Sequence, residues 1–187
     1  DAVSESQRKF MGTLWNTYAF FVLYAEIDKF NPTEHKLEDQ KLTIMDRWIL
    51  SCLNTLIKTV DEGLDQYKIT ETSRAIGEFV DNLSNWYVRR SRERFWGSEM
   101  SKSKEAAYTT LYTVLSTLSK ILAPYTPFMA ESMYRNLVCN FDKDAPESVH
   151  LCSFPVADER YIDKNLEDGM GDVLKLVVLG RAARNAS

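Results

Sequence analysis

The stretch Thr43-Ile-Met-Asp-Arg-Trp-Ile-Leu-Ser-Cys-Leu-Asn-Thr-Leu-Ile-Lys-Thr-Val-Asp-Glu-Gly-Leu64 decides the fold. Trp48, Ile49, Leu53, Leu56, Ile57, Val60 and Leu64 recur three and four residues apart, the spacing of one face of an α-helix. Thr43 with Asp46 three residues on is a capping pair, so this helix starts there and runs to about Tyr67. No proline interrupts the chain between Pro32 and Pro124, and the same period continues on both sides. Upstream, Ser4 to Lys29 carries Phe10, Leu14, Trp15, Tyr18, Phe21, Val22 and Ala25. That segment is apolar around much of its circumference, which predicts deep burial. Asn31-Pro32 ends it, and a charged surface loop reaches Lys41.

Downstream, Thr70 is placed to cap a third helix through Ile76, Phe79, Val80, Leu83 and Tyr87 to about Phe95, with Gly97 at the position of a C-terminal glycine. A fourth helix starts near Ser101 to Ser103 and lines up Tyr108, Leu111, Tyr112, Leu115, Leu118, Ile121 and Leu122 before Pro124. Thr126-Pro127 is a restart signal, a capping hydroxyl followed by proline at the first helical position, for a fifth helix to about Val138. Asn140 to Arg160 is irregular, with an extended candidate at Ser148 to Phe154. A last helix runs from about Ile162 towards Arg184, and its stripe of Val173, Leu174, Val177 and Val178 needs a partner. The expected fold is all-α. It comprises an antiparallel bundle of four to five long helices over residues 1–139, an irregular connection with a short extended segment over 140–161, and a C-terminal helix over 162–187.

Composition agrees. The chain has 187 residues, 44% of them hydrophobic, and a mean hydropathy of −0.32, values of a globular protein. Seven glycines and five prolines are about half the usual share, which argues against an all-β domain. No apolar run approaches the ~20 residues of a membrane span, so no membrane partner is expected. Three cysteines without a secretory signal fit a reducing, cytoplasmic setting. With Asp1 at the start and Ser187 inside a helical pattern, the sequence reads as a piece of something longer. The formal net charge of −4 seems at first to discourage a nucleic-acid partner.

Charge is not spread evenly. Arg89 to Arg94 holds four arginines and one glutamate, a local excess of positive charge flanked by Trp86, Tyr87, Phe95 and Trp96. Guanidinium forks suit phosphates and aromatic faces stack on unpaired bases, the combination that grips single-stranded or loop RNA. At 100° per residue, Arg90 and Arg94 continue the apolar line of Ile76 to Tyr87, while Arg89 and Arg92 fall opposite, near Asn85 and Trp96. The same run has a structural reading, because arginines at a helix C-terminus complement its dipole.

Other chemistry is sparse. Met100-Ser-Lys-Ser103 copies four letters of the Lys-Met-Ser-Lys-Ser ATP loop of class I aminoacyl-tRNA synthetases, but Glu99 replaces the first lysine and no His-Ile-Gly-His partner exists. Helix capping explains the tetrapeptide. Cys139, His150 and Cys152 match no zinc spacing, so no metal is expected. Asp46, Asp61, Glu62 and Asp65 read as solvated positions of the second helix, Tyr108 and Tyr112 as core, and no catalytic constellation emerges.

Asn85-Trp-Tyr-Val-Arg-Arg-Ser-Arg92 resembles the isoleucyl-tRNA synthetase family in its α-helical anticodon-binding domain. Phe10-Met-Gly-Thr-Leu-Trp-Asn-Thr-Tyr18, Met45-Asp-Arg-Trp-Ile-Leu-Ser51 and Leu122-Ala-Pro-Tyr-Thr-Pro-Phe128 resemble the same family in the same order. So do Glu147-Ser-Val-His-Leu151 with Phe154-Pro155, and Leu179-Gly-Arg-Ala-Ala-Arg-Asn185. Synthetases for valine, leucine, methionine and cysteine share the bundle; the arginine run and the tail favour isoleucine over valine. The resemblance implies a parent isoleucine–tRNA ligase that uses ATP and magnesium, with its catalytic domain preceding this bundle. It implies that this piece has no catalytic site and no cofactor of its own, and that its partner is the anticodon stem-loop of tRNA(Ile). The tRNA-binding candidates are Trp86, Arg89, Arg90, Arg92, Arg94 and Trp96, with Asn16, Arg8 and Lys9 from the first helix. A helical scaffold that binds an acidic protein is the alternative from another class.

Overall fold

The computed structural model describes Glu5 and residues 7–186. Helix α1 (Gly12–Ile27) follows a π-turn at Gln7–Met11. Two 3-10 turns, Pro32–Glu34 and Leu37–Asp39, lead to α2 (Ile44–Asp65). Helix α3 (Ile69–Asn82) passes through a π-turn at Leu83–Val88 directly into α4 (Arg89–Trp96). Then come α5 (Lys102–Leu122), α6 (Pro127–Tyr134) with a π-turn at Arg135–Cys139, two more 3-10 turns, and α7 (Lys164–Ala186). No strand occurs among the described residues, and the molecule is an all-α bundle.

Helix α5 is the axis. Leu111, Val114, Leu115, Leu118, Ile121 and Leu122 are all fully buried, and so are Ala106, Ala107, Thr110 and Ser119 on its other sides. It is enclosed by α1, α2, α4 and α6. Helix α2 is amphipathic as its spacing requires, burying Trp48, Ile49, Leu53, Leu56, Ile57 and Val60. Its start is a capping box. The Thr43 N–H donates to Asp46 Oδ2 at 2.8 Å, and the Asp46 N–H donates to Thr43 Oγ1 at 3.3 Å. Ser101 caps α5 as expected, accepting from the Lys104 N–H at 3.2 Å.

Several boundaries differ from the sequence reading. The expected start at Ser4 lies outside the described residues. Helix α1 buries only one face (Leu14, Thr17, Tyr18 and Phe21), leaving Trp15, Leu23 and Ile27 exposed although much of its circumference is apolar. Thr70 does not cap α3; Lys68 stands before the first helical residue, and Thr72 instead bonds back to the Lys68 and Ile69 carbonyls. Thr126 does not cap α6, and its hydroxyl is buried with no hydrogen-bond partner among the described residues. Gly97 is extended (φ −60°, ψ 144°), not left-handed, and its carbonyl accepts from Lys104 Nζ at 2.6 Å. The extended candidate at 148–154 is interrupted: Ser148 and Cys152 are extended, but a 3-10 turn at Val149–Leu151, capped by the Ser148 hydroxyl, separates them.

The two left-handed residues are not glycines. Lys29 (φ 53°) and Tyr67 (φ 57°) each follow a helix end. At the α2 end, the Lys68 N–H bonds the Gly63 carbonyl at 2.8 Å and the Tyr67 N–H bonds that of Leu64 at 3.0 Å, a Schellman closure. That tight turn folds α3 back onto α2. Gly63 is required at the crossing, because a Cβ there would sit 2.3 Å from Thr72 Cγ2.

The segment after α6 is stitched along α2. The Asp158 N–H donates to Asn54 Oδ1 at 2.7 Å and the Asp163 N–H to Ser51 Oγ at 2.8 Å. Glu167, in the first turn of α7, accepts from the hydroxyls of Ser51 (2.5 Å) and Thr55 (2.8 Å) and from Lys164 Nζ (2.9 Å). Burial pushes the Glu167 carboxyl up, but these three donors outweigh it and hold it below its usual value.

Urea unfolding tests the α2–α3 turn. Tyr67 is almost fully exposed and contributes no packing, so Tyr67→Gly should stabilise the chain by about 1 kcal/mol by relieving left-handed strain. Gly63→Ala should destabilise it by about 1–3 kcal/mol by overpacking against Thr72.

Candidate nucleic-acid interface

A π-turn holds one more residue per turn than an α-helix, and the one at Leu83–Val88 re-phases everything after it. Before it, Ile76, Phe79, Val80 and Leu83 face the core. Beyond it, Val88, Ser91 and Phe95 are buried, and Ser91 and Phe95 occupy the line that an unbroken α-helix would give to Arg90 and Arg94. The expected pairing of Arg90 with Arg94 is therefore split. Arg89, Arg90 and Arg92 are exposed, and Arg94 lies on the flank of the core stripe with its side chain 16% exposed.

Arg94 is fully engaged inside the protein. Its Nη1 and Nη2 donate to the two oxygens of Asp46 at 2.7 and 2.9 Å, a bidentate pair. Its Nη2 and Nε also donate to the Ser103 carbonyl, at 2.7 and 3.2 Å. The Asp46 side chain is 0% exposed, which corrects its reading as a solvated position. Asp46 also accepts from the Tyr87 hydroxyl at 2.7 Å and the Thr43 hydroxyl at 2.7 Å. Burial pushes the Asp46 carboxyl up, yet the bonds and charge of Arg94, then Tyr87 and Thr43, prevail and hold it below its ordinary value. Burial, and after it the Asp46 charge, push the Tyr87 phenol well above its ordinary value, so it remains a donor.

Met100 to Ser103 has structural work at each serine: Ser101 caps α5 and Ser103 holds Arg94. Next to it, Lys104 is buried, its Nζ 2.6 Å from Asp28 Oδ2, and Tyr108 donates its hydroxyl to the same carboxylate. With Glu99 beside them, these residues do not fit a nucleoside triphosphate.

The exposed arginines gather round Trp86. The indole is half-buried, packed on the core by one edge. Arg90 Cζ stands 5.9 Å from its ring centroid, and Arg181 Cζ, from α7, stands 6.0 Å from it. Asp81, Asn85, Trp86, Arg89, Arg90 and Arg181 line a groove of about 240 Å³. Arg92 and Trp96 lie exposed on α4, Trp96 at 58%. Arg8, Lys9 and Asn16 are exposed on the first helix, which packs against α3 and the π-turn. Lys9 pairs with Glu5 at 2.5 Å. No hydrogen bond or ion pair joins Arg8, Lys9 or Asn16 to the arginine run among the described residues. Sequence reasoning missed Arg181: the block Leu179 to Asn185 stood out only as a resemblance, and nothing local says that α7 returns to Trp86.

A family model described as the anticodon-binding domain of tRNA ligase matches residues 46–187. The chain belongs to that family. The relatives it resembles include the isoleucine–tRNA ligase of Clostridium novyi, 58% identical over 187 residues, and that of Clostridium kluyveri, 52% identical over 187 residues. The isoleucine–tRNA ligase of Dehalococcoides mccartyi strain CBDB1 is 54% identical over 183 residues. The first two matches cover 100% of this chain and the third 98%, but the chain spans only 18% of the length of each of these relatives. In this anticodon-binding domain the arginine run of α4 divides: Arg94 holds the helices together, while Arg89, Arg90 and Arg92 are exposed.

Removing one partner of a buried pair leaves the other charge uncompensated. Arg94→Ala and Asp46→Asn should each cost about 3–5 kcal/mol of unfolding free energy. Because Asp46 titrates lower in the folded state, its contribution is complete above about pH 4, the unfolded value, and is lost as pH falls through the folded one. Denaturant melts as a function of pH should show a steep acid limb below pH ~4 in the parent chain and a flatter one in Asp46→Asn.

Proposed function

We propose that the chain binds the anticodon stem and loop of tRNA(Ile), as a module of an isoleucine–tRNA ligase. The observation that carries this reading is the set of exposed arginines Arg89, Arg90 and Arg92 on α4, with Arg89 and Arg90 beside the indole of Trp86, in a domain of the anticodon-binding family. The identity of the relatives supports isoleucine over valine. Arginines take phosphates and fix the position of the RNA, while Trp86 and Trp96 offer ring surface to unpaired bases. Phosphate binding responds to the local field, so a net charge of −4 does not oppose it.

In this reading the parent enzyme joins isoleucine to its tRNA with ATP and magnesium in a preceding catalytic domain, in the cytoplasm. This domain contributes position and no bond-making step. Among the described residues, no helix is long and apolar enough to cross a membrane and no cluster of side chains forms a metal site.

Fluorescence anisotropy with a labelled anticodon stem-loop of isoleucine tRNA, repeated at several salt concentrations, tests the proposal. Binding should be weak and steeply salt-dependent, and Arg89→Ala with Arg92→Ala should lower the slope of log affinity against log salt by about 1–2. Affinity that is immeasurable, or indifferent to both substitutions, overturns the reading and favours a protein-binding scaffold.

A further inference from the structure

We infer that the groove between α4 and α7 is a subsite for one unpaired RNA nucleotide, closed by Arg181. The inference rests on the RNA-binding reading and adds a place, a residue from a distant element, and a ligand class.

Three guanidinium groups, those of Arg89, Arg90 and Arg181, line a space of about 240 Å³. None of them makes an ion pair among the described residues, whereas Arg94, four residues beyond Arg90, is fully neutralised by Asp46. Asp81 is the one carboxylate in the lining, so three guanidinium groups meet a single counter-charge there, and an anion placed among them relieves the remaining repulsion. The guanidinium fork matches the oxygens of a phosphodiester in size and geometry.

The remaining lining narrows the choice of anion. Asp81 and Asn85, both in the lining, are joined by a bond from Asn85 Nδ2 to Asp81 Oδ1 at 2.6 Å. That bond uses one of the two Asn85 amide N–H groups and leaves the other as a donor, with the second Asp81 oxygen and the Asn85 carbonyl oxygen as acceptors. Acceptors beside arginines favour a ligand that carries N–H donors together with its negative charge. A nucleotide brings both kinds of group: an anionic phosphate for Arg89, Arg90 and Arg181, and base-edge N–H donors for Asp81 and Asn85. The Trp86 indole lines the same groove with the Arg90 and Arg181 guanidinium groups over its ring, an aromatic and guanidinium surface on which a base can stack. Only an unstacked nucleotide can enter, because a base inside a duplex has both its faces and its pairing edge engaged.

Arg181 is the discriminating residue. It is exposed on α7, away from the bundle core, and its substitution leaves the arginine run of α4 intact. Anisotropy titrations would compare the parent chain, Arg181→Gln and Arg181→Lys, using the labelled isoleucine anticodon stem-loop and a blunt RNA duplex without unpaired bases. Circular dichroism and thermal melts of each variant would establish that the fold is unchanged. Arg181→Gln should weaken stem-loop binding about 5- to 20-fold and lower the salt slope by about 1, with duplex binding unchanged. Arg181→Lys should recover the slope but only part of the affinity, since it restores the charge without the fork. If Arg181→Gln binds the stem-loop like the parent chain while Arg89→Ala with Arg92→Ala loses binding, the subsite is wrong and the RNA-binding reading stands. An equal loss for stem-loop and duplex makes Arg181 a general phosphate contact and also overturns the subsite. No stem-loop binding by the parent chain overturns both.

Discussion

The bidentate pair between Arg94 and Asp46, with the Ser103 carbonyl that shares the guanidinium, ties together α2, α4 and α5. Asp46 belongs to the first turn of α2, Arg94 to the last turn of α4, and the Ser103 carbonyl that shares the guanidinium to the first turn of α5. Apolar packing is non-directional and tolerates sliding or rotation of one helix on another. A planar fork with a fixed geometry does not. Because Asp46 also closes the capping box with Thr43 and accepts from Tyr87, the buried carboxylate fixes the start of α2 and the rotation of α4 together. The rotation of α4 in turn decides which arginines reach solvent.

The fold was largely legible because its helices obey one period over long stretches. The α2 stripe, the Thr43–Asp46 cap and the Ser101 start all follow from residue spacing, and each holds in the structure. What could not be read depends on information that is not periodic. Tyr67 and Lys29 end helices in left-handed conformations that sequence rules assign to glycine. Thr70 and Thr126 look like caps and are not, because the backbone enters each helix by another route. The apolar surface of α1 predicts complete burial, yet burial depends on neighbours, and the described chain covers only one side of that helix.

The candidate interface was half legible for a similar reason. The arginine run is conspicuous by charge, but the assignment of its members to faces assumed an unbroken α-helix. One extra residue at Leu83–Val88 gave Ser91 and Phe95 the buried positions and sent Arg94 alone to the carboxylate. Asp46 was misread as solvated because an acidic residue in the first turn of a helix usually is, and only its partners Tyr87 and Arg94, from a different part of the chain, make it a core residue. Arg181 needed the tertiary path of α7 along α2 to be seen at all.

That path makes α7 a cantilever. It is clamped near its first turn, where Glu167 bonds Ser51, Thr55 and Lys164, and most of its second half is exposed. At 1.5 Å per residue, Arg181 sits about 20 Å out along the beam from that clamp. A tilt of about 5° at the clamp therefore displaces the guanidinium by roughly 2 Å, the difference between a made and a missed hydrogen bond. The width of the groove at Trp86 thus depends on the polar bonds at the opposite end of the helix and on the packing of Met170 and Leu174 on the core, and a ligand that pulls on Arg181 loads both.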